Sequence, residues 1–279
     1  MTLIAERPEH AYSLSSLILK GGVMNYLNCA EVLRRCAGRL VRSWLFVGLL
    51  TSLSAAPVFS ANLVIYGASG NIGSKIVAEA LNRGHHVIGV SRKPESLTIN
   101  HPNFKAVKGD VTDLNSMMEI VTGADAVIMS IRGNGADNSA EEEVDNKASL
   151  VYIAAAAKLG NKTPRLLQVG NQATLYRNGV QGLNSGKYEE GTAFYGRVKA
   201  HQLVLDNYKA IPGLKWTVLS PSGTIAAGTR TGHYRIGGDE VLTDATGKET
   251  GISQEDFAVA FIDEVEKPKA IAKRIAIGY

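Results

Sequence analysis

The sequence predicts an α/β fold, a doubly wound parallel sheet, with a leader in front of it. Two observations carry that prediction. From residue 61 onward, short apolar runs alternate with segments whose apolar residues recur at helical spacing. The first run, Asn62-Leu63-Val64-Ile65-Tyr66, passes through Gly67-Ala68-Ser69-Gly70-Asn71-Ile72-Gly73 directly into an amphipathic stretch, as a strand turning into a helix does. A chain of 279 residues is long enough to bury one full core.

Strands are expected at 62–66, 86–91, 104–108, 125–131, 165–169 and 215–220. Several are apolar without alternation, as parallel strands covered on both faces are. Helices are expected over 71–83, 113–122, 141–160 and 194–209. Gly84 and Gly160 stand where helix C-caps belong, and the alanine run 154–157 favours helix. After the sixth strand the alternation stops. Residues 221–251 are rich in Gly, Thr and Ser; a helix follows from Gln254 to Val265, and Arg274–Tyr279 closes the chain as a strand.

Residues 1–60 have no place in that alternation. Arg34, Arg35, Arg39 and Arg42 precede the apolar Trp44–Leu50, and small residues follow up to Ser60. A basic region, a short apolar core and small residues describe an export signal, with cleavage expected after Ser60 and Met24 as an alternative start. An uncleaved membrane anchor, or a helix of a cytoplasmic protein, are the other readings; the leader is the only expected contact with a membrane. The leader also carries much of the net charge of +4. It holds six of the 30 basic and three of the 26 acidic residues, which leaves 24 against 23 for 61–279. A nearly neutral body without a basic stripe excludes nucleic acid as a partner. Both cysteines, Cys29 and Cys36, lie in the leader. The histidines are scattered without ligand spacing, so no metal is expected.

The glycine turn is the main chemical signal. It aims backbone N–H groups and the positive end of a helix dipole at one point, which suits a pyrophosphate. Gly67 would allow the tight turn, Gly70 the approach of backbone to phosphate, and Gly73 close packing of helix on strand. Ser69, Asn71 and Ile72 complete the expected cofactor loop. At the end of the second strand, where NAD readers place an acid, stand Arg92 and Lys93. Arg92 can pair with a 2′-phosphate, so NADP(H) is favoured over NAD(H). In Gly109-Asp110-Val111, Asp110 would accept from the adenine amino group while Val111 packs on the ring. Asp110 has a second reading, as part of the turn that Thr112 or Asp113 caps. Ser130 ends the fourth strand, where the nicotinamide ribose is expected. Tyr195 and Lys199, four apart on a helix, form a candidate acid–base pair in which the ammonium lowers the phenol pKa. Arg132, Arg230, Tyr234 and Arg235 are weaker candidates for substrate contacts.

These residues, in this order, resemble an atypical short-chain dehydrogenase/reductase. The later segments Leu219-Ser220-Pro221, Gly228–Arg235, Ile252–Ala260 and Gly278-Tyr279 resemble bacterial NAD(P)H-binding proteins of the NADH-flavin reductase group, relatives of the NmrA-like and biliverdin reductase B groups. Over about 61–279 the resemblance implies a Rossmann domain with a small C-terminal substrate region, insertions at about 171–193 and 221–251, and hydride transfer from NADP(H) to a flavin, quinone or carbonyl acceptor. It also implies two alternatives: a non-catalytic cofactor-binding sensor of NmrA-like type, and a nucleotide-sugar epimerase, which the short chain after the sixth strand disfavours. The chain departs from the short-chain dehydrogenase pattern after strand five, where only Asn171 and Thr174 stand near the place of the usual substrate-orienting hydroxyl and neither clearly replaces it. Flavin reductases of this kind need no Tyr/Lys pair, because hydride transfer over a nicotinamide depends on proximity.

Overall fold

The computed structural model describes residues 59–132 and 143–279. Strand β1 (Asn62–Tyr66) lies inside an eight-stranded sheet, flanked in parallel by β2 (His86–Ser91) and β4 (Ala126–Met129). β3 (Phe104–Lys108) is the edge beyond β2. Beyond β4 follow β5 (Arg165–Val169), β8 (Trp216–Pro221), β12 (Lys273–Gly278) and the short β10 (Arg235–Ile236). Every pairing in this sheet is parallel except β10 on β12. The order runs outward in opposite directions from β1 and β4, so their carboxyl ends form the topological switch point of a Rossmann fold.

Strand alternation decides which layer each side chain joins. Leu63 and Ile65 face α1 (Asn71–Asn82) and α5 (Gln254–Glu266), which pack on each other through Ile76, Val77, Phe257 and Phe261. Val64 and Tyr66 face the opposite layer of α2 (Leu114–Val121), α3 (Val144–Leu159) and α4 (Ala193–Lys209), with Met117, Tyr152, Val204 and Tyr208. Ile76, Phe257 and Phe261 are fully buried, each contributing about 1.5–3 kcal/mol by transfer from water.

The expected elements are present with small differences at their ends. The fourth strand stops at Met129 rather than 131, because β1 turns away at Gly67 and leaves residues past Ser130 without a ladder partner on that side. The third helix begins at Val144; residues 141 and 142 lie outside the described residues, as do 1–58 with the expected leader. Gly84 and Gly160 do close α1 and α3, both at positive φ. The region after β8 is more regular than its composition suggests. β9 (Ile225–Ala226) pairs in parallel with β11 (Ile252–Ser253), and β10 extends the main sheet. A two-residue-strand hairpin, β6 (Tyr176–Arg177) and β7 (Val180–Gln181), follows β5. Among the described residues no helix is long and apolar enough to cross a membrane.

Candidate active site

The loop from β1 to α1 is shaped by two glycines that cannot be replaced without moving backbone. Gly67 has φ +74°, and a Cβ there would lie 2.1 Å from the Ser130 carbonyl oxygen. A Cβ on Gly73 would lie 2.1 Å from the Gly67 carbonyl oxygen, so the first turn of α1 rests on the loop it leaves. Gly70 has a different part. It is the N-cap of α1 at φ −76°, its N–H donates to Gly67 O (2.9 Å), and it brings no side-chain oxygen to the helix end. No acidic residue occupies the first turn. Among the described residues no side chain caps the first N–H groups of α1, in a place where the dipole favours an anion.

A cleft of about 490 Å3 opens over this loop at the carboxyl ends of β1 to β4. Of the residues expected to hold a cofactor, Gly67, Ser69, Gly70, Arg92, Asp110, Val111 and Ser130 line it. Asn71, Ile72, Gly73 and Lys93 do not. Asn71 and Gly73 shape the helix start, and Lys93 turns its backbone N–H onto Ser91 Oγ (3.1 Å) at the head of a short 3-10 turn. Arg92 is exposed on the rim, close enough to Asp110 to favour its ionised form. Asp110 accepts from the Thr112 N–H (2.9 Å) and hydroxyl (2.7 Å), both at Oδ1. These bonds, with Arg92 adding, hold its carboxyl below the ordinary carboxylate range. The cap of α2 belongs to Asp113, whose side chain accepts from Ser116 N–H (2.8 Å), so Asp110 serves the turn and the cleft together.

Tyr195 and Lys199 stand four apart on α4, and the hydrogen bond of the Tyr195 hydroxyl goes to Glu190. Thr192 caps α4 and fixes its first turn, and the Tyr195 hydroxyl donates to Glu190 Oε1 (3.2 Å). Partial loss of water and the Glu190 carboxylate push the phenol above its usual value, the direction opposite to that expected from Lys199. Lys199 is exposed, and neither residue lines the cleft over the glycine loop. Asn171 and Thr174 are committed to the turn after β5: Asn171 Oδ1 accepts from Ala173 N–H (2.9 Å), and Thr174 Oγ1 donates to Asn171 O (2.7 Å).

The C-terminal candidates are also tied into structure. Arg230 makes two bonds to Glu79 (2.7 and 2.8 Å), Tyr234 donates to Asp263 (2.5 Å), and Arg235 reaches Thr243 O (3.0 Å). Arg230 and Tyr234 thus fasten the loop after β9 to the outside of α1 and α5, while Arg132 alone of the four weaker candidates lines the cleft. Two residues that sequence reasoning did not single out belong to this description. Glu190 controls Tyr195, and Tyr66 lines the cleft just before the glycine turn. Tyr66 shares its side of β1 with Val64 and so faces the α2–α4 layer; nothing in the sequence signalled the Glu190 contact. Among the described residues no group of three His, Cys, Asp or Glu side chains could hold a metal.

Known proteins share this architecture. A Bacteroides thetaiotaomicron structure, named a candidate epimerase, is 35% identical and superposes with a TM-score of 0.70 over 79% of this chain and 98% of its own. A candidate exported protein of Burkholderia pseudomallei is 30% identical (TM-score 0.66; 78% of this chain, 100% of its own). A candidate NADH-flavin reductase of Streptococcus pneumoniae is 27% identical (TM-score 0.66; 78% and 99%). The sequence profile of the NAD(P)H-binding family matches residues 67–268, the span that runs from the first glycine of the loop past the last helix, and the chain belongs to that family.

Proposed function

We propose that this protein is an NADP(H)-dependent oxidoreductase that passes hydride to a small flavin, quinone or carbonyl acceptor. The observation that carries this is the cleft itself: an uncapped helix N-terminus over a Gly67–Gly73 turn, with a cation on one rim and an ionised carboxylate beside it. The residues present fit a phosphorylated dinucleotide. The N–H groups opening α1 would hold the pyrophosphate, Arg92 the 2′-phosphate and Asp110 the adenine amino group. When bound, the nicotinamide supplies the hydride; Ser130, at the end of β4, would run beneath its ribose. The chain's own work is then binding and orientation, with the acceptor entering beside 171–193 and 221–251.

Tyr195 favours proximity-driven transfer over acid–base chemistry, because Glu190 opposes formation of its phenolate. The same observation keeps a second reading in view, a cofactor-binding sensor without turnover. Two measurements separate them. Titration with NADPH and NADH tests the cofactor reading, and NADPH oxidation with a panel of flavins and quinones tests turnover. Binding without oxidation of NADPH would favour the sensor; no binding of either coenzyme would end both readings.

We also propose that residues 1–60 direct export, a reading supported by the name of the Burkholderia relative. Processing after Ser60 would convert the Ala61 N–H, which is buried and donates to His85 Nδ1 (3.1 Å), into an α-ammonium. Mass spectrometry of the exported protein tests the cleavage point.

A further inference from the structure

Two arginines line the cleft over the glycine loop, and the cofactor reading uses one of them. Arg92 directly follows β2, while Arg132 stands just past the end of β4, after Ser130 and Ile131. In the sheet order β3, β2, β1, β4, two strand spacings separate those ends, about 10 Å. Asp110 follows β3, one strand beyond Arg92 and on the far side from Arg132. The cleft therefore has an adenosine end at β2 and β3 and a far end at β4, with the Gly67–Gly73 turn between them. Arg132 is exposed and makes no ion pair or hydrogen bond among the described residues. Neither Asp110 nor Glu143, the two carboxylates that share the cleft, pairs with it.

The charges of the coenzyme narrow what Arg132 is for. In the reading given above, Arg92 takes the 2′-phosphate and the N–H groups opening α1 take the pyrophosphate. The nicotinamide end, over Ser130, brings no further anion. The cation at that end is left for the molecule that receives the hydride. We propose that Arg132 is a specificity-determining residue for the acceptor, and that the acceptor carries an oxyanion, a phosphate or a carboxylate, which the guanidinium fork binds. This rests on the oxidoreductase reading given above. A guanidinium is planar and always charged, and its two parallel N–H donors match two oxygens of either group, which a lysine cannot copy. Hydride passes from the reduced nicotinamide to the acceptor, and a proton from water completes the product. Arg132 gives up no proton; it holds the acceptor in place over the ring. A neutral quinone or an unphosphorylated flavin lacks the group it would grip.

The test uses the full protein with two pairs of probes, each differing by one anionic group: flavin mononucleotide against riboflavin, and 4-carboxybenzaldehyde against benzaldehyde. Binding of the flavins to the protein loaded with NADP+ is read by quenching of flavin fluorescence, which needs no turnover; the aldehydes are compared by KM in NADPH oxidation. Wild type should favour the charged member of one pair by about 10-fold or more, the worth of one charge-assisted contact. Arg132→Ala should remove that preference, Arg132→Lys should restore only part of it, and both should bind NADPH within about 2-fold of wild type. The pair that shows the preference tells phosphate from carboxylate. No preference in either pair, or one that survives in Arg132→Ala, overturns the inference while NADPH binding upholds the cofactor reading. A fall of about 10-fold or more in NADPH binding by Arg132→Ala would give the guanidinium to the coenzyme and overturn it too. If wild type binds no NADPH, both readings fall.

Discussion

Replacing Gly67 by alanine is expected to unfold the β1–α1 loop rather than merely weaken a ligand. Two costs add. At φ +74° an L-residue is disfavoured by about 1–2 kcal/mol. The new Cβ would also sit 2.1 Å from Ser130 O and 2.8 Å from Ser130 C, inside van der Waals contact with backbone that cannot rotate away. Parting the ends of β1 and β4 to relieve it costs about 1–3 kcal/mol, the range for overpacked cores. The total, about 2–5 kcal/mol, corresponds to a fall of about 4–20 °C in Tm for a domain of this size. Gly70→Ala is the matched comparison: φ is ordinary there, and its Cβ would meet Gly67 O at 3.2 Å and Ser130 O at 4.0 Å. It should lower the Tm less, by about 2–4 °C for about 1 kcal/mol, because alanine is a poorer N-cap than glycine. Thermal denaturation of both variants by circular dichroism decides the matter. A Gly67→Ala protein as stable as wild type would refute the argument that this turn is held against Ser130.

The remaining predictions concern the rim, the helix α4 and the α1–α5 clasp. Arg92→Ala should weaken NADPH binding about 10-fold or more, the worth of a charge-assisted bond, and leave NADH binding unchanged; equal losses for both coenzymes would deny Arg92 a 2′-phosphate. Tyr195→Phe should leave kcat/KM for a flavin within about 3-fold, whereas a general acid would cost about 100-fold or more. Glu79 is buried between Arg230 and Arg83, and the bond from Arg230 holds its carboxyl below the ordinary value of 4.5. Its contribution is complete above that value and is lost as pH falls through the lower, folded value. Glu79→Gln should therefore lower Tm near pH 7 by about 2–8 °C, for about 1–2 kcal/mol. It should also flatten the acid limb of a Tm–pH curve; an unchanged acid limb would show that another group sets it.

Much of the fold could be read along the chain because parallel strands and their crossover helices write local patterns. The run Leu63-Val64-Ile65 marks a strand covered on both faces, and Gly67 and Gly73 mark the turn, where a Cβ would strike backbone. The pairing of β9 with β11 was not legible, since two-residue strands have no period to detect. Arg230, Tyr234 and Arg235 illustrate the same boundary from the side-chain end. Their types fit a substrate cleft, yet their partners Glu79, Asp263 and Thr243 are distant in sequence or on another element.

The sequence by itself therefore determined the order of strands and helices, the glycine turn and the cation at the second strand, because each depends on residues within a few positions of one another. Tertiary structure alone decided that Arg92 lies near enough to Asp110 to favour its ionised form, and that Arg230 belongs to a structural clasp. It also decided that the Tyr195 hydroxyl bonds to Glu190, and left the Tyr66 hydroxyl buried without a hydrogen-bond partner among the described residues. The reason is physical: burial out of water and a carboxylate nearby both hold the proton on a phenol, and chain spacing does not fix either.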